Sequence, residues 1–182
     1  MTLDQRALRD RLVLRQAAPG DDHAIAALTD AAFVAVGEES VERRLLRELA
    51  ADGDLVPELT LVAEVDAELV GHVACSWGTL GEQPAIGLGP ISVRPDLQRR
   101  GIGGTLMSAV VATADQRGDA VVVLLGDPAY YGYFGFVPAS TLGITSPGPW
   151  RDSYFQAKPL RAWRPEMAGA FRYAPAFERI EG

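Results

Sequence analysis

Arg99, Arg100, Gly101, Gly103 and Gly104 fall within six consecutive positions, between a β-branched strand pattern and an apolar helical one. Ile91 and Val93 alternate at period 2, and Pro95 pushes Arg94 out of the helical region, so the strand ends there. Beyond the glycines, Ile102, Leu106, Val110 and Ala114 recur every four residues with Met107 and Val111 beside them. That is the pattern of one buried helix face, and Gly118 supplies its stop. A helix entered through glycines leaves its first backbone N–H groups unpaired, and the macrodipole adds partial positive charge there. Phosphate is the usual occupant of such a terminus. Side chains at 101, 103 and 104 would hold a phosphate off the backbone, and the two guanidinium groups add charge beside it. Glycines kept only for tight strand-to-helix packing are the alternative. A dinucleotide fingerprint would need a third glycine where Leu106 stands, and no Gly-Lys-Ser/Thr occurs in the chain for a P-loop.

A second pattern, Tyr131-x-x-x-Gly135-Phe136, follows the apolar strand Val121-Val122-Val123-Leu124-Leu125. With Gln98-x-x-Gly101-x-Gly103 placed after an Ile-x-Val strand, it makes the chain resemble the GCN5-related N-acetyltransferase (GNAT) family. In that family a Gln/Arg-x-x-Gly-x-Gly/Ala motif cradles the pyrophosphate of acetyl-coenzyme A. The run from Gly126 to Phe136 is similar to that of a small bacterial branch of predicted acyltransferases. The resemblance extends from about Leu12 to Ala139 and is looser beyond. It implies an α/β fold: a mixed, mostly antiparallel twisted sheet with a splayed parallel central strand pair and helices on both faces. Acetyl-coenzyme A is the implied co-substrate, its pyrophosphate held by Gln98, Arg99, Arg100 and the stretch Gly101, Ile102, Gly103, Gly104 and Thr105. The backbone of Ile91, Ser92 and Val93 would pair with the pantetheine arm like an added strand, with the Ile91 N–H toward the thioester oxygen. Tyr131 matches the family tyrosine that protonates the departing thiolate; packing among Tyr130, Tyr133 and Phe134 is its other reading. A thiol has a pKa of ~8.5 and a phenol ~10, so a neutral phenol can stabilise a developing thiolate. Many members carry Asn near position 127 and a longer helix after it. Here Asp127-Pro128 predicts a short helix capped by Asp127.

The positioning elements follow from pattern. The 182 residues read as one domain, with Met1 to Asp10 an N-terminal extension and 140–182 a C-terminal part outside the motif region. Leu12-Val13-Leu14 is the first strand and Pro19-Gly20 a turn. Asp21 or Asp22 caps a helix through about Val36, and Ser40 caps another from Val41 to about Ala50, with Leu45, Leu46 and Leu49 inward. Leu59 to Val65 and Glu68 to Trp77 flank Asp66-Ala67 as a hairpin. His72 and Cys75, an odd number of residues apart, fall on opposite faces of its second strand, so they form no local nucleophilic pair, and Cys75 is a buried apolar residue. Gly78 to Pro84 is a linker to the central strand Ala85 to Val93, whose parallel neighbour is Ala120 to Leu125. Further strands are expected at 135–138, 154–157 and 171–173. Trp150, Trp163 and Phe171 either line an acceptor pocket or close the core.

Composition bounds the partners. Hydrophobic residues make up 48% of the chain at a mean hydropathy of +0.05, as in a globular protein. No apolar run approaches the ~20 residues that span a bilayer, and Met1 to Asp10 is too charged for a secretory leader, so no membrane partner and a cytoplasmic address are expected. A net charge of −7 and a pI near 4.8 argue against nucleic acid and suit an amine-bearing small molecule or peptide. One cysteine excludes an internal disulfide, and with two histidines it leaves little from which to build a zinc site, so no metal is expected. A homodimer is compatible with all of this.

The expected reaction is direct attack of an amine on the thioester in a ternary complex. An alkyl ammonium has a pKa of ~10.4, so a base or a water chain must take its proton. GNAT relatives often carry an acidic residue on the central strand, where this chain has Ile86, Gly87, Gly89 and Ser92. Glu38 and Glu39, in a loop that walls the acceptor cleft in the family, and His72 are the remaining, weak candidates; the first reading of the two glutamates is a solvated helix approach and that of His72 a core or rim residue. Two other functions stay open: a non-catalytic sensor of coenzyme A or acyl-coenzyme A, and an interaction protein whose glycine turn is purely structural.

Overall fold

A computed structural model describes residues 5–33 and 39–180. In chain order these form α1 (Gln5–Arg11), β1 (Leu12–Gln16), α2 (Asp22–Ala32), α3 (Val41–Asp52), β2 (Leu61–Val65), β3 (Glu68–Leu80) and β4 (Gln83–Val93). After them come α4 (Ile102–Arg117), β5 (Val121–Leu125), α5 (Pro128–Tyr131), β6 (Val137–Pro138), β7 (Phe155–Pro159), β8 (Phe171–Arg172) and α6 (Pro175–Ile180). The strands make one sheet in the order β1-β2-β3-β4-β5-β7-β6, with β8 added to β3. Every pairing is antiparallel except that of β4 with β5.

That exception shapes the molecule. β4 and β5 pair only at Ile86 with Val122 and Gly87 with Val123. On its other edge β4 stays in register with β3, save for an irregularity between Val73–Ile91 and Cys75–Leu88 that sets Gly89 and Pro90 against Ala74 alone. An extra residue bends and twists its strand, and Pro90 has no N–H to offer a neighbour. β4 therefore leaves β5 after Gly87, and among the described residues no strand pairs with its edge from there through Val93 on that side.

The expected linker at Gly78 to Pro84 is instead strand. β3 runs to Leu80 and β4 begins at Gln83, so the two form one long hairpin. Gly78 sits inside it because a Cβ there would lie 2.7 Å from the Arg172 carbonyl oxygen and 3.0 Å from the Phe171 ring. The glycine admits β8 onto β3 and does not break the strand.

α4 buries Ile102, Leu106, Met107, Val110 and Ala114, the face its spacing predicts. It lies close on the sheet at Gly71, where a Cβ would stand 2.9 Å from Ile102 Cγ2 and 3.1 Å from a Leu106 methyl. Gly118 ends the helix in the left-handed conformation. α2 and α3 cover the opposite face. α2 stops at Ala32, with Phe33 already extended, short of the expected Val36, which lies outside the described residues. Nor does Asp21 cap it by side chain: its carboxylate takes two hydrogen bonds from Arg15, at 2.6 and 2.9 Å, and one from the Ala18 N–H. Ser40 does cap α3, accepting from the Arg43 N–H at 3.1 Å. The Ser40 N–H and hydroxyl both donate to Asp30 Oδ1, and Arg43 Nη1 reaches Asp30 Oδ2 at 2.6 Å. One carboxylate on α2 thus clasps the start of α3. At the C-terminal end Phe171 is buried and Trp150, Trp163 and Tyr173 pack against its cluster, so these aromatics close the core. α6, absent from the sequence expectations, places Ala176 with Leu45 and Leu49 of α3. Among the described residues no helix is long and apolar enough to cross a membrane.

Candidate functional site

The chain enters α4 through Arg99 at φ 60° and Gly101 at φ 93°. Left-handed residues interleaved with ordinary ones turn successive amides toward one side, which makes an anion-holding concavity. The first donor of the helix ladder is Thr105, whose N–H and hydroxyl both reach the Gly101 carbonyl, at 2.9 and 3.0 Å. Amides 101–104 precede it and stand outside the ladder. Thr105, expected among the phosphate ligands, has its amide engaged within the helix.

These amides form the floor of a groove of about 440 Å³. Ile91 and Val93 of β4 make one wall, and Tyr130 and Phe134 the other. The glycines keep it open: a Cβ on Gly103 would stand 2.9 Å from the Tyr130 hydroxyl, and one on Gly104 3.4 Å from the Phe134 ring. Gln98, Arg99 and Ile102 also line it, and Gln98 Nε2 donates to the Val93 carbonyl at 3.2 Å. The Arg100 side chain is not part of this lining. Ser92 turns the other way, buried with its hydroxyl 3.4 Å from that of Thr29 on α2, and is not among the residues that line the groove. A polyphosphate ester fits such a floor, since its oxygens need close amides and nearby cations.

One cation there escaped the sequence reading. Leu8 of α1 is fully buried in the main core, and this anchor carries Arg9 to the mouth of α4. A Cβ on Gly101 would lie 3.7 Å from Arg9 Nη2. Arg6 and Arg9 in the extension, with Arg11 just beyond it, were the only available signal.

Tyr130 and Tyr131 divide their surroundings. The Tyr130 hydroxyl stands over Gly103, at the anion end, whereas the Tyr131 ring packs on Gly126, where a Cβ would meet it at 2.2 Å. Gly126 follows directly on β5, at the lip of the opening between β4 and β5. It is fixed there by its N–H, which donates to the Tyr154 carbonyl, and by its carbonyl, which accepts from Gln156 Nε2, both at 2.9 Å. The Tyr131 ring meets Tyr130 and Phe136 edge-on. Burial, with a smaller contribution from neighbouring Tyr130, pushes the Tyr131 phenol up to about 12, so it is protonated throughout the neutral range. Asp127 caps the short α5 as expected, accepting from the Ala129 N–H at 2.9 Å.

The candidate bases fare differently. Glu38 lies outside the described residues. Glu39 accepts from Arg47 Nη1 at 2.7 and 2.6 Å, and that guanidinium holds its carboxyl below the usual range, which makes it a poor proton acceptor. His72 and Cys75 do lie on opposite faces: Cys75 is in the core beneath α4, while His72 lines a separate hollow under α2 and α3. Burial lowers the His72 pKa to about 4, partly offset by the Asp21 carboxylate. In the unfolded chain the imidazole takes a proton below about 6.5, so the unfolded state binds more protons through the window from 6.5 down to 4. Stability should therefore fall as pH drops through that window, by about 2 kcal/mol at pH 5. Urea unfolding at pH 7 and pH 5 measures this, with His72→Phe expected to flatten the difference.

Amide cradle and open strand edge belong to one groove, and residues 23–136 match the family model of the acetyltransferase (GNAT) family. The chain belongs to the GNAT family. Among GNAT proteins it is 32% identical over 152 residues to the N-acetyltransferase YhbS of Escherichia coli K12, spanning 82% of this chain and 87% of that one. The crystal structure of the GNAT protein YhbS from E. coli in complex with CoA superposes at a TM-score of 0.82 and 29% identity, covering 93% of both chains. A GNAT acetyltransferase from Brucella melitensis, solved with acetyl-CoA, gives a TM-score of 0.74 at 33% identity over 91% of this chain and 97% of that one.

Proposed function

We propose that the chain moves an acetyl group from acetyl-coenzyme A to a primary amine of a small molecule or peptide, by direct attack within one cleft. The carrying observation is that a single groove joins an amide floor suited to phosphates to the edge of β4 that β5 leaves unpaired beyond Gly87. Bound acetyl-coenzyme A supplies the activated thioester. Amides 101–104, with Arg99, Arg100 and Arg9 around them, hold its negative end. The backbone of Ile91, Ser92 and Val93 holds the extended arm as an added strand would be held, and the Ile91 N–H faces the thioester oxygen. Thr105 serves through its hydroxyl bond, which stiffens the Gly101 turn. Tyr131, at the β5 lip, donates a hydrogen bond to the sulfur as negative charge builds there. With a pKa near 12, full proton transfer to a thiolate of ~8.5 runs uphill in water and becomes accessible only as the cleft desolvates the sulfur too. Holding both reactants in register is worth ~7–11 kcal/mol of barrier. The amine's proton leaves through water or to Glu38, since Glu39 is engaged by Arg47 and His72 lies in the separate hollow under α2 and α3. The same reading places the reaction in the cytoplasm.

Release of free thiol from acetyl-coenzyme A, followed against a panel of polyamines, amino acids and peptides, tests the assignment. Tight coenzyme binding with no thiol release for any amine would instead mark a sensor. Arg9→Ala should weaken coenzyme A binding about tenfold, the scale of one charge-assisted hydrogen bond, without moving the melting temperature of the free protein. Calorimetric titration at low and high salt reads this, and the difference should shrink at high salt.

A further inference from the structure

A hollow of about 540 Å³ shares a wall with the groove at the start of α4, since Phe134 lines both. One helical turn separates them. A Cβ on Gly104 would touch the Phe134 ring within the groove, and Ser108, four residues or ~6 Å further along α4, lines the hollow. Ser108 and Ala112 are exposed on this flank of the helix. α5 ends at Tyr131, and the single tight turn that follows it, Gly132–Phe134, is too short to cover them.

Two side chains of the hollow have no evident structural task. Tyr133, on its rim, is 89% exposed, so nearly the whole ring is offered to solvent. Lys158 is the only lysine in the chain. It stands opposite Val122 across β5 and β7, and so leaves the sheet on the face that α4 covers. A Cβ on Gly135 would lie 2.6 Å from its ammonium, so the glycine of the Tyr131-x-x-x-Gly135-Phe136 pattern leaves room for this cation. Among the described residues Lys158 pairs with no carboxylate. Arg161 beside it is held by Asp115, at 2.7 Å through the guanidinium and 2.8 Å through the N–H. The hollow therefore carries one uncompensated positive charge, in a chain whose net charge is −7.

Coenzyme A does not end at its pyrophosphate. Beyond it come a ribose with a 3′-phosphate and an adenine ring, which are an anion and a flat base. Resting on the proposed function, we infer that this end of the coenzyme lies in the hollow, with its 3′-phosphate on Lys158 and its adenine on Tyr133. A phosphate gains a charge-assisted hydrogen bond from an ammonium with no other partner, and any base can stack on an exposed aromatic face. Lys158 and Tyr133 thereby select the phosphorylated coenzyme and take no part in acetyl transfer.

Calorimetric titration of the full chain with coenzyme A and with dephospho-coenzyme A, which lacks only the 3′-phosphate, tests this. Coenzyme A should bind about tenfold more tightly. Lys158→Met should bring it down to the level of the dephospho form and leave that form where it was, which also certifies the variant's fold. Tyr133→Ala, at a site too exposed to matter for folding, should weaken both ligands about tenfold and keep their ratio. The lone lysine adds a readout that needs no variant. Reductive methylation with carbon-13 formaldehyde marks Lys158 and the α-amine, and the Lys158 signal should move with coenzyme A and much less with the dephospho form. If Lys158→Met fails to fold, that signal decides. Binding of neither coenzyme would overturn the proposed function and this inference together. Equal affinities in the unaltered protein, a preference that survives Lys158→Met, or a Lys158 signal that ignores the 3′-phosphate would overturn this inference alone.

Discussion

Gly103→Glu should raise the dissociation constant for coenzyme A by about a thousandfold while the protein stays folded. The new side chain would start 2.9 Å from the Tyr130 hydroxyl and 3.7 Å from Val93, between the two walls of the groove. Its carboxylate would take the place of a phosphate at amides 101–104 and repel what remains of the ligand's charge. Two or three charge-assisted hydrogen bonds at ~1.5–3 kcal/mol each account for a loss of about 4 kcal/mol. Stability should move the other way. Glutamate in the first turn of a helix suits the macrodipole and replaces a poor helix former, so the melting temperature should hold or rise. Calorimetric titration beside a thermal melt separates the two effects. Unchanged affinity in a folded variant would move the anion site away from α4.

Tyr131→Phe should lower kcat about a hundredfold with little change in the KM for acetyl-coenzyme A, since removing a proton-donating group costs turnover on that scale. Tyr130→Phe is the informative counterpart. Its hydroxyl lies at the anion end of the groove, so its loss should appear in coenzyme affinity before it appears in turnover. Steady-state kinetics of the two variants, against an amine found by the thiol-release screen, assigns each phenol to its end. Because the Tyr131 proton stays on until about pH 12, no alkaline fall in rate below about pH 10 should belong to it. Equal losses in kcat and affinity for Tyr131→Phe, or no loss, would remove that residue from the acid role.

Much of this frame is legible in the sequence because local pattern and tertiary burial agree. Ile91 and Val93 at period 2, the four-residue spacing from Ile102 to Ala114, and the Ser40 cap all describe elements whose partners lie where the pattern says. The groove's floor was legible in part: glycines at 101, 103 and 104 mark a close approach to the backbone, and the structure puts Arg9, Tyr130 and Phe134 there. Legibility fails where a long-range contact decides. Gly78 and Gly81 read as a linker, yet Gly78 is in strand because Phe171, ninety-three positions on, needs the space of its missing side chain. Asp21 reads as a cap, but Arg15 and Ala18 claim its carboxylate. Arg9 carries no motif; only the burial of Leu8 tells where it goes. Trp150 and Trp163 could not be sorted between pocket and core until β7 and β8 were placed.

The Asp30 clasp has an evolutionary reading. By tying Ser40 and Arg43 back to α2, it fixes where the connection from residue 33 to residue 40 must return, whatever lies in between. Insertions or replacements within that connection leave both helices and the sheet beneath them as they were. Under the proposed function, selection can then vary that connection while the amide floor at the start of α4 and the β4 edge stay as they are.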